Sequence, residues 1–173
     1  RSPVTGNPIW GIAEADERLI DDAVTSAQMA FDQDWSRYSV RDRTRVMRAI
    51  AESVRAHAPA LVDAEIEDTG KPLRLAELEI ARVAENFDAF ARFVEDFVAQ
   101  EKEVRVGGFA TKHRVERVPK GVIAAIGPWN VPLVTMSWKI APALAWGNCV
   151  VAKPSQETPS SCLLLAEIAH KAG

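Results

Sequence analysis

Residues 121–153, GVIAAIGPWNVPLVTMSWKIAPALAWGNCVVAK, decide the fold. The 32 residues from Gly121 to Ala152 hold one formal charge, Lys139. Pro128, Pro132 and Pro142, together with Asn130 and Asn148, exclude a lipid-spanning helix, because a lone helix in lipid must satisfy every polar group internally. The stretch is therefore read as buried core. Two apolar runs of strand length, GVIAAIG and CVVA, flank a helical stretch from about Pro132 to Ala145, which Gly147 and Asn148 stop. Neither run alternates apolar with polar residues, the pattern of a parallel strand covered on both faces. The link between them exceeds the roughly 10–12 residues that a parallel crossover needs. The unit is βαβ. Thr158 and Pro159 are expected to cap and open a further helix carrying Leu163, Leu164, Ile168 and Ala169. Two parallel strands do not finish a domain, so the sheet is expected to be incomplete within these 173 residues. A start at Arg1 rather than Met likewise leads us to expect residues upstream.

Working outward, the first hundred residues carry helical periodicity. From Asp16, a candidate N-cap, apolar residues fall at Leu19 and Ile20, Ala23 and Val24, Ala27, and Ala30 and Phe31. A second helix opens at Ser39, with Asp42 at the third position, and buries Val46, Met47, Ile50 and Val54. Pro59 restarts the chain, and the short helix after it ends near Thr69 and Gly70, before Pro72. The longest helix aligns Ile80, Val83, Phe87, Phe90, Val94 and Phe97, a seam expected to pack on another helix or a neighbouring subunit. Beyond Gly107 and Gly108 the period changes, and Thr111 to Val118 reads as a strand with a wet face. The fold class is α/β: helices first, then a strand with a wet face, then the first strands of a parallel sheet.

Charge and composition narrow the function. Residues 1–100 hold 19 acidic against 12 basic side chains and residues 101–173 hold 5 against 9, so neither part is basic enough for a nucleic-acid surface. Cys149 and Cys162 show no CxxC spacing, and His57, His113 and His170 are scattered, which argues against a disulfide framework or a metal site. RSPVTGNPIW lacks the pattern of a signal peptide, so a cytoplasmic compartment and no membrane partner are expected.

In an open parallel sheet, ligands bind beyond the carboxyl ends of the strands. Here those ends carry Gly127-Pro128-Trp129-Asn130 and Lys153-Pro154-Ser155-Gln156. Asn130 precedes a helix start, where the dipole favours negative charge, and its amide can donate to an oxyanion. Lys153 is a point charge suited to hydroxyl or phosphate groups. Each also has a plain structural reading: Asn130 as a turn residue, Lys153 as a solvated strand end, Trp129 and Trp138 as packing. Cys149, inside an apolar strand, reads as a buried hydrophobe, and Arg41, Arg43, Arg45 and Arg48 as a solvated helix face. The GxGxxG dinucleotide fingerprint is absent.

Taken together, the PWN turn, the WKIAPALAWGN helix end and the KPS strand end, in this order and spacing, resemble the aldehyde dehydrogenase superfamily. SPVTG, DTGKP at Asp68 to Pro72 and HRVERVPKGV are similar to the family as well. The resemblance covers the whole chain but only about the N-terminal third of a family member. It implies NAD(P)-dependent oxidation of an aldehyde to a carboxylic acid through a cysteine thiohemiacetal and thioester. By the same likeness, Asn130 holds the oxyanion; Ile126, Gly127, Trp129, Lys153, Ser155 and Gln156 bind NAD or NADP; Val131, Val134, Thr135 and Trp138 line the substrate tunnel; and Lys139 serves a proton relay. No metal is implied. Residues 1–103 would be the helical part of the cofactor-binding domain, 104–120 the β-hairpin strands of an oligomerisation domain serving a homo-dimer or homo-tetramer, and 121–173 the start of the Rossmann-like dinucleotide-binding sheet, an incomplete domain. Gln156 stands where many NAD-preferring members have Glu, which leaves NAD against NADP open. The family's cysteine, general-base glutamate and glycine-rich turn come later in its members, so the 173 residues alone are expected to be inactive. A CoA-acylating semialdehyde dehydrogenase, whose members usually carry Phe where Trp129 stands, and a non-catalytic interaction module are the alternatives.

Overall fold

The computed structural model describes residues 1–9, 11–97 and 100–173. Its first two helices begin where the sequence provides caps. α1 (Glu17–Gln33) starts behind Asp16, whose carboxylate accepts from Leu19 N–H at 2.8 Å. α2 (Val40–Ala56) starts behind Ser39, whose hydroxyl accepts from Asp42 N–H. α3 (Ala58–Thr69) has Pro59 in its first turn and ends at Gly70, whose φ of 68° supplies the left-handed C-cap. α4 (Leu73–Asp96) follows Pro72 directly.

The core is the layer between α2, α4 and the later helix α5 (Pro132–Ala145), with α3 and α6 (Ser160–Ala172) closing it. Met47, Ile50, Leu61, Ile80, Phe87, Leu133 and Met136 are all fully buried there. The α4 seam thus finds its partners, α2 and α5, within the chain. α1 lies against the parallel strands with Ala23, Ala27 and Phe31 half-covered, while Leu19, Ile20 and Val24 stay exposed.

The strands form two separate pairs. β1 (Gln100–Val106) and β2 (Phe109–Val115) form an antiparallel hairpin, with Val106 opposite Phe109 and Gln100 opposite Val115. The strand expected over Thr111 to Val118 therefore runs earlier. Gly107 and Gly108, both at positive φ, are the two-residue turn, and β1 ends the pairing at Val115. Every residue of β2 is exposed, so the strand has two wet faces within this chain and not one. β3 (Val122–Ile126) and β4 (Cys149–Lys153) pair in parallel across α5, the expected βαβ unit. Ala124 and Ile126 remain exposed, as do Ala152 and Lys153, so the sheet is only partly covered.

Two expectations are corrected. α6 is not capped by Thr158: its N-cap is Pro159, without a side-chain bond, and Thr158 Oγ1 donates to Trp129 O at 3.0 Å instead. Its buried face is Ser161, Cys162, Leu165 and Ile168, while Leu163 is 56% exposed. Nor is the arginine face of α2 wholly solvated. Arg43 is half-buried and donates Nε–H to Ala145 O at 3.2 Å, which serves the open C-terminus of α5.

Candidate functional site

The turns that follow β3 and β4 lie side by side. Gly127 N–H donates to Lys153 O at 3.0 Å, one rung past the β3 ladder, and Thr158 Oγ1 joins the second turn to the Trp129 carbonyl. Glycine leaves room for α5 at the first of these positions: a Cβ on Gly127 would stand 2.6 Å from Met136 Sδ and 2.9 Å from its Cγ, so that side chain would have to shift. The missing Cβ leaves Met136 of α5 its place against β3.

Asn130 is exposed in the turn between β3 and α5, and its amide has no hydrogen-bond partner among the described residues. α5 begins two residues later with Pro132, at the position where a missing N–H costs nothing. A neutral donor thus stands free beside a helix N-terminus, the setting that stabilises developing negative charge. Lys153 is exposed at the end of β4, its Nζ donating to Pro154 O at 3.2 Å, with its remaining donors available. Ser155 Oγ accepts from Glu157 N–H at 3.3 Å, shaping the turn on which Gln156 and Glu157 are exposed. Ile126 and Trp129 add an apolar shelf at the same edge, 63% and 64% exposed.

Along α5, Val131, Thr135 and Trp138 follow one face by spacings of four and three; Val131 and Thr135 are half-buried and Trp138 is exposed. Thr135 Oγ1 donates to Val131 O at 2.7 Å. Val134 is 3% exposed and joins the core, so the structure separates it from that face. Lys139 lies about two turns into α5, roughly 10 Å along the axis from Pro132. Its Nζ donates to Thr135 O at 3.3 Å, and it lines a different groove, with Phe97, Arg117 and Trp146. The structure therefore brings together Ile126, Gly127, Trp129, Asn130, Lys153, Ser155 and Gln156, and leaves Val134 and Lys139 outside that cluster.

Beneath the turns lies a polar network that sequence reading did not assign. Glu65, 1% exposed, accepts from Lys71 Nζ at 2.5 Å, from Ser161 Oγ at 2.7 Å and from Leu133 N–H at 3.1 Å. Lys71 also bonds Glu79. Asp68, 6% exposed, accepts from Ser160 N–H at 2.8 Å and Ser160 Oγ at 3.0 Å. A buried carboxylate is tolerable only when paired and hydrogen-bonded in this way. The available signal was periodicity: Leu61, Glu65 and Asp68 fall on one face of α3, the face that is buried.

Both cysteines are buried. Burial, with the Glu65 carboxylate nearby, pushes the Cys162 thiol up to about 12, and burial alone raises Cys149. No group of three or more His, Cys, Asp and Glu among the described residues is placed to hold a metal ion.

The model of the aldehyde dehydrogenase family matches residues 1–173. The chain belongs to the aldehyde dehydrogenase family. It is 40% identical to a 2-hydroxymuconic semialdehyde dehydrogenase of Pseudomonas sp. (strain CF600), across 99% of this chain and 36% of the relative. It is 38% identical to a betaine aldehyde dehydrogenase of Vibrio vulnificus, across 99% of this chain and 35% of that one. A crystal structure of betaine aldehyde dehydrogenase from Staphylococcus aureus in complex with NAD+ superposes with a TM-score of 0.91 at 32% identity, covering 99% of this chain and 34% of that chain. The chain thus spans about a third of the length of the family members it matches. The α/β architecture with N-terminal helices is the family's own. No described helix is long and apolar enough to cross a membrane.

Proposed function

We propose that this chain supplies the oxyanion turn and the ribose-side turn of an enzyme that oxidises an aldehyde to a carboxylic acid with NAD+ or NADP+. The observation that carries the reading is Asn130: an exposed amide at a helix N-terminus, without a partner among the described residues and tied through Gly127 to the strand that ends in Lys153. Family membership and the relatives' names for aldehyde substrates support the reaction class.

The residues present fit a dinucleotide. Lys153 and Gln156 offer donors for ribose hydroxyls, the Ser155 turn shapes their backbone, and Ile126, Gly127 and Trp129 offer an apolar shelf for a flat ring. The dinucleotide, when bound, supplies the hydride acceptor. Asn130 donates to the substrate oxygen as it gains negative charge, an interaction stronger in the transition state than in the ground state. Val131, Thr135 and Trp138 form one wall for an apolar aldehyde, and we assign Val134 to supporting that wall from behind. Lys139 would serve a proton relay from its own groove, beside Phe97, Arg117 and Trp146. Buried Cys149 and Cys162 are not the nucleophile; their raised thiols support that exclusion.

The same reading takes residues 1–103 and 121–173 as parts of the dinucleotide-binding domain. Residues 104–120 then serve assembly into a homo-dimer or homo-tetramer, for which the fully exposed β2 speaks. Unpaired thiols agree with a reducing, cytoplasmic compartment.

The test is Asn130→Ala in the polypeptide as its gene encodes it. We expect kcat to fall by roughly 10² to 10³ with dinucleotide affinity retained. Unchanged turnover removes Asn130 from the oxyanion role.

A further inference from the structure

Each of the two turns is followed by a helix, and neither helix caps itself. α5 starts behind Val131 and α6 behind Pro159, with no side-chain bond from either N-cap residue. Both caps come from α3. Glu65 Oε1 accepts from Leu133 N–H in the first turn of α5, and Asp68 Oδ2 accepts from Ser160 N–H at the start of α6. The two carboxylates are three residues apart, hence neighbours on one helix face. Ser161 Oγ donates to the same Glu65 oxygen that takes Leu133 N–H, so this one atom touches both helices. Lys71 balances the charge from below through Glu65 Oε2.

A local Ser, Thr, Asp or Asn would cap each helix without burying any charge. What local caps cannot do is fix one helix start relative to the other. A single rigid helix carrying both acceptors does so, and the helix dipoles favour the negative charge placed at each end. We propose that Glu65 and Asp68 are positioning residues that hold the two turns in register: Glu65 acts through Leu133 on Asn130, and Asp68 acts through Ser160 on the Lys153–Gln156 turn. The inference rests on the reading of Asn130 as oxyanion donor and of Lys153 as dinucleotide ligand.

Different parameters should move. A catalytic group misplaced by about 1 Å costs up to roughly 10²-fold in rate. In the polypeptide as its gene encodes it, Glu65→Gln sets an amide against Lys71 and weakens the hold on α5. Its kcat should fall between roughly 10-fold and 10²-fold at saturating dinucleotide. Asp68→Asn should raise KM for the dinucleotide by roughly 10-fold while kcat stays within about threefold, since the bonds to Ser160 at the ribose-side turn weaken. Folded fraction is fixed in each assay by far-ultraviolet circular dichroism and a melting curve.

The deciding experiment is the cycle with Asn130→Ala. If Glu65 acts through Asn130, then adding Glu65→Gln to Asn130→Ala lowers kcat little further, because no amide remains to be placed. If the two losses multiply in full, or folded Glu65→Gln turns over normally, the positioning role of Glu65 is overturned although the loss in Asn130→Ala stands. If Asn130→Ala alone loses nothing, the oxyanion reading fails first and the inference with it. Should Glu65→Gln not fold, Glu65→Asp takes its place with the same outcomes, because it keeps the charge that Lys71 balances and draws the carboxylate back from Leu133 N–H. An unchanged dinucleotide KM in folded Asp68→Asn overturns the second half.

Discussion

Gly127 shows how a single missing atom sets the site. Its backbone has no left-handed strain to relieve; the demand is spatial, because a Cβ would press on Met136, itself 1% exposed. Gly127→Ala should therefore cost about 1–3 kcal/mol by overpacking, read as a lower midpoint of chemical unfolding. Gln156 tests a different property. An amide repels a 2'-phosphate less than a carboxylate does, so Gln156→Glu should raise the ratio of kcat/KM for NAD+ over NADP+; an unmoved ratio removes that turn from cofactor choice. The cysteines complete the scale. With both thiols buried and raised, native protein should react with iodoacetamide at Cys149 and Cys162 far more slowly than unfolded protein, as peptide mass mapping would show.

At the scale of elements, α2 and α4 are clasped by Glu95, which accepts from Thr44 Oγ1 at 2.6 Å and takes both nitrogens of Arg48 at 2.8 and 2.6 Å. The Arg48 guanidinium, with the Thr44 hydroxyl, holds the Glu95 carboxyl down at about 2 from an ordinary 4.5. A folded value below the unfolded one means stability that is complete above about pH 4.5 and is lost as pH falls towards 2. Solvent screening at this partly exposed pair keeps its contribution to about 1 kcal/mol. Glu95→Gln should be less stable than the parent at neutral pH by that amount, with the gap closing near pH 2. The elements themselves were legible wherever a local signal existed. α5 runs from Pro132 to Ala145 as read, since a proline opens it and Gly147 and Asn148 stop it. The resemblance implied hairpin strands from residue 104, but the start of β1 was not legible, because its beginning at Gln100 follows from pairing across Gly107 and Gly108 and not from its own charged pattern. The caps of α5 and α6 were hidden for the same reason. Asp68 and Ser160 are 92 residues apart, and no local rule links them.

For the whole molecule, the resemblance located the two turns, while the buried network that spaces them emerged only in three dimensions. An apolar groove of about 770 Å³ runs among α1, α2, α5, β4 and α6, lined by residues such as Trp35, Ile140, Leu144, Val151 and Leu165. Residues 1–173 expressed by themselves should accordingly bind the dye ANS while keeping helical circular dichroism. The central claim is that these turns belong to an aldehyde-oxidising site. The most direct measurement is the near-ultraviolet absorbance of reduced dinucleotide when the polypeptide encoded by the natural gene meets aliphatic and aromatic aldehydes with NAD+ or NADP+. Absorbance that rises only when aldehyde is present is the predicted result; folded protein that reduces neither dinucleotide with any of the aldehydes would contradict the account.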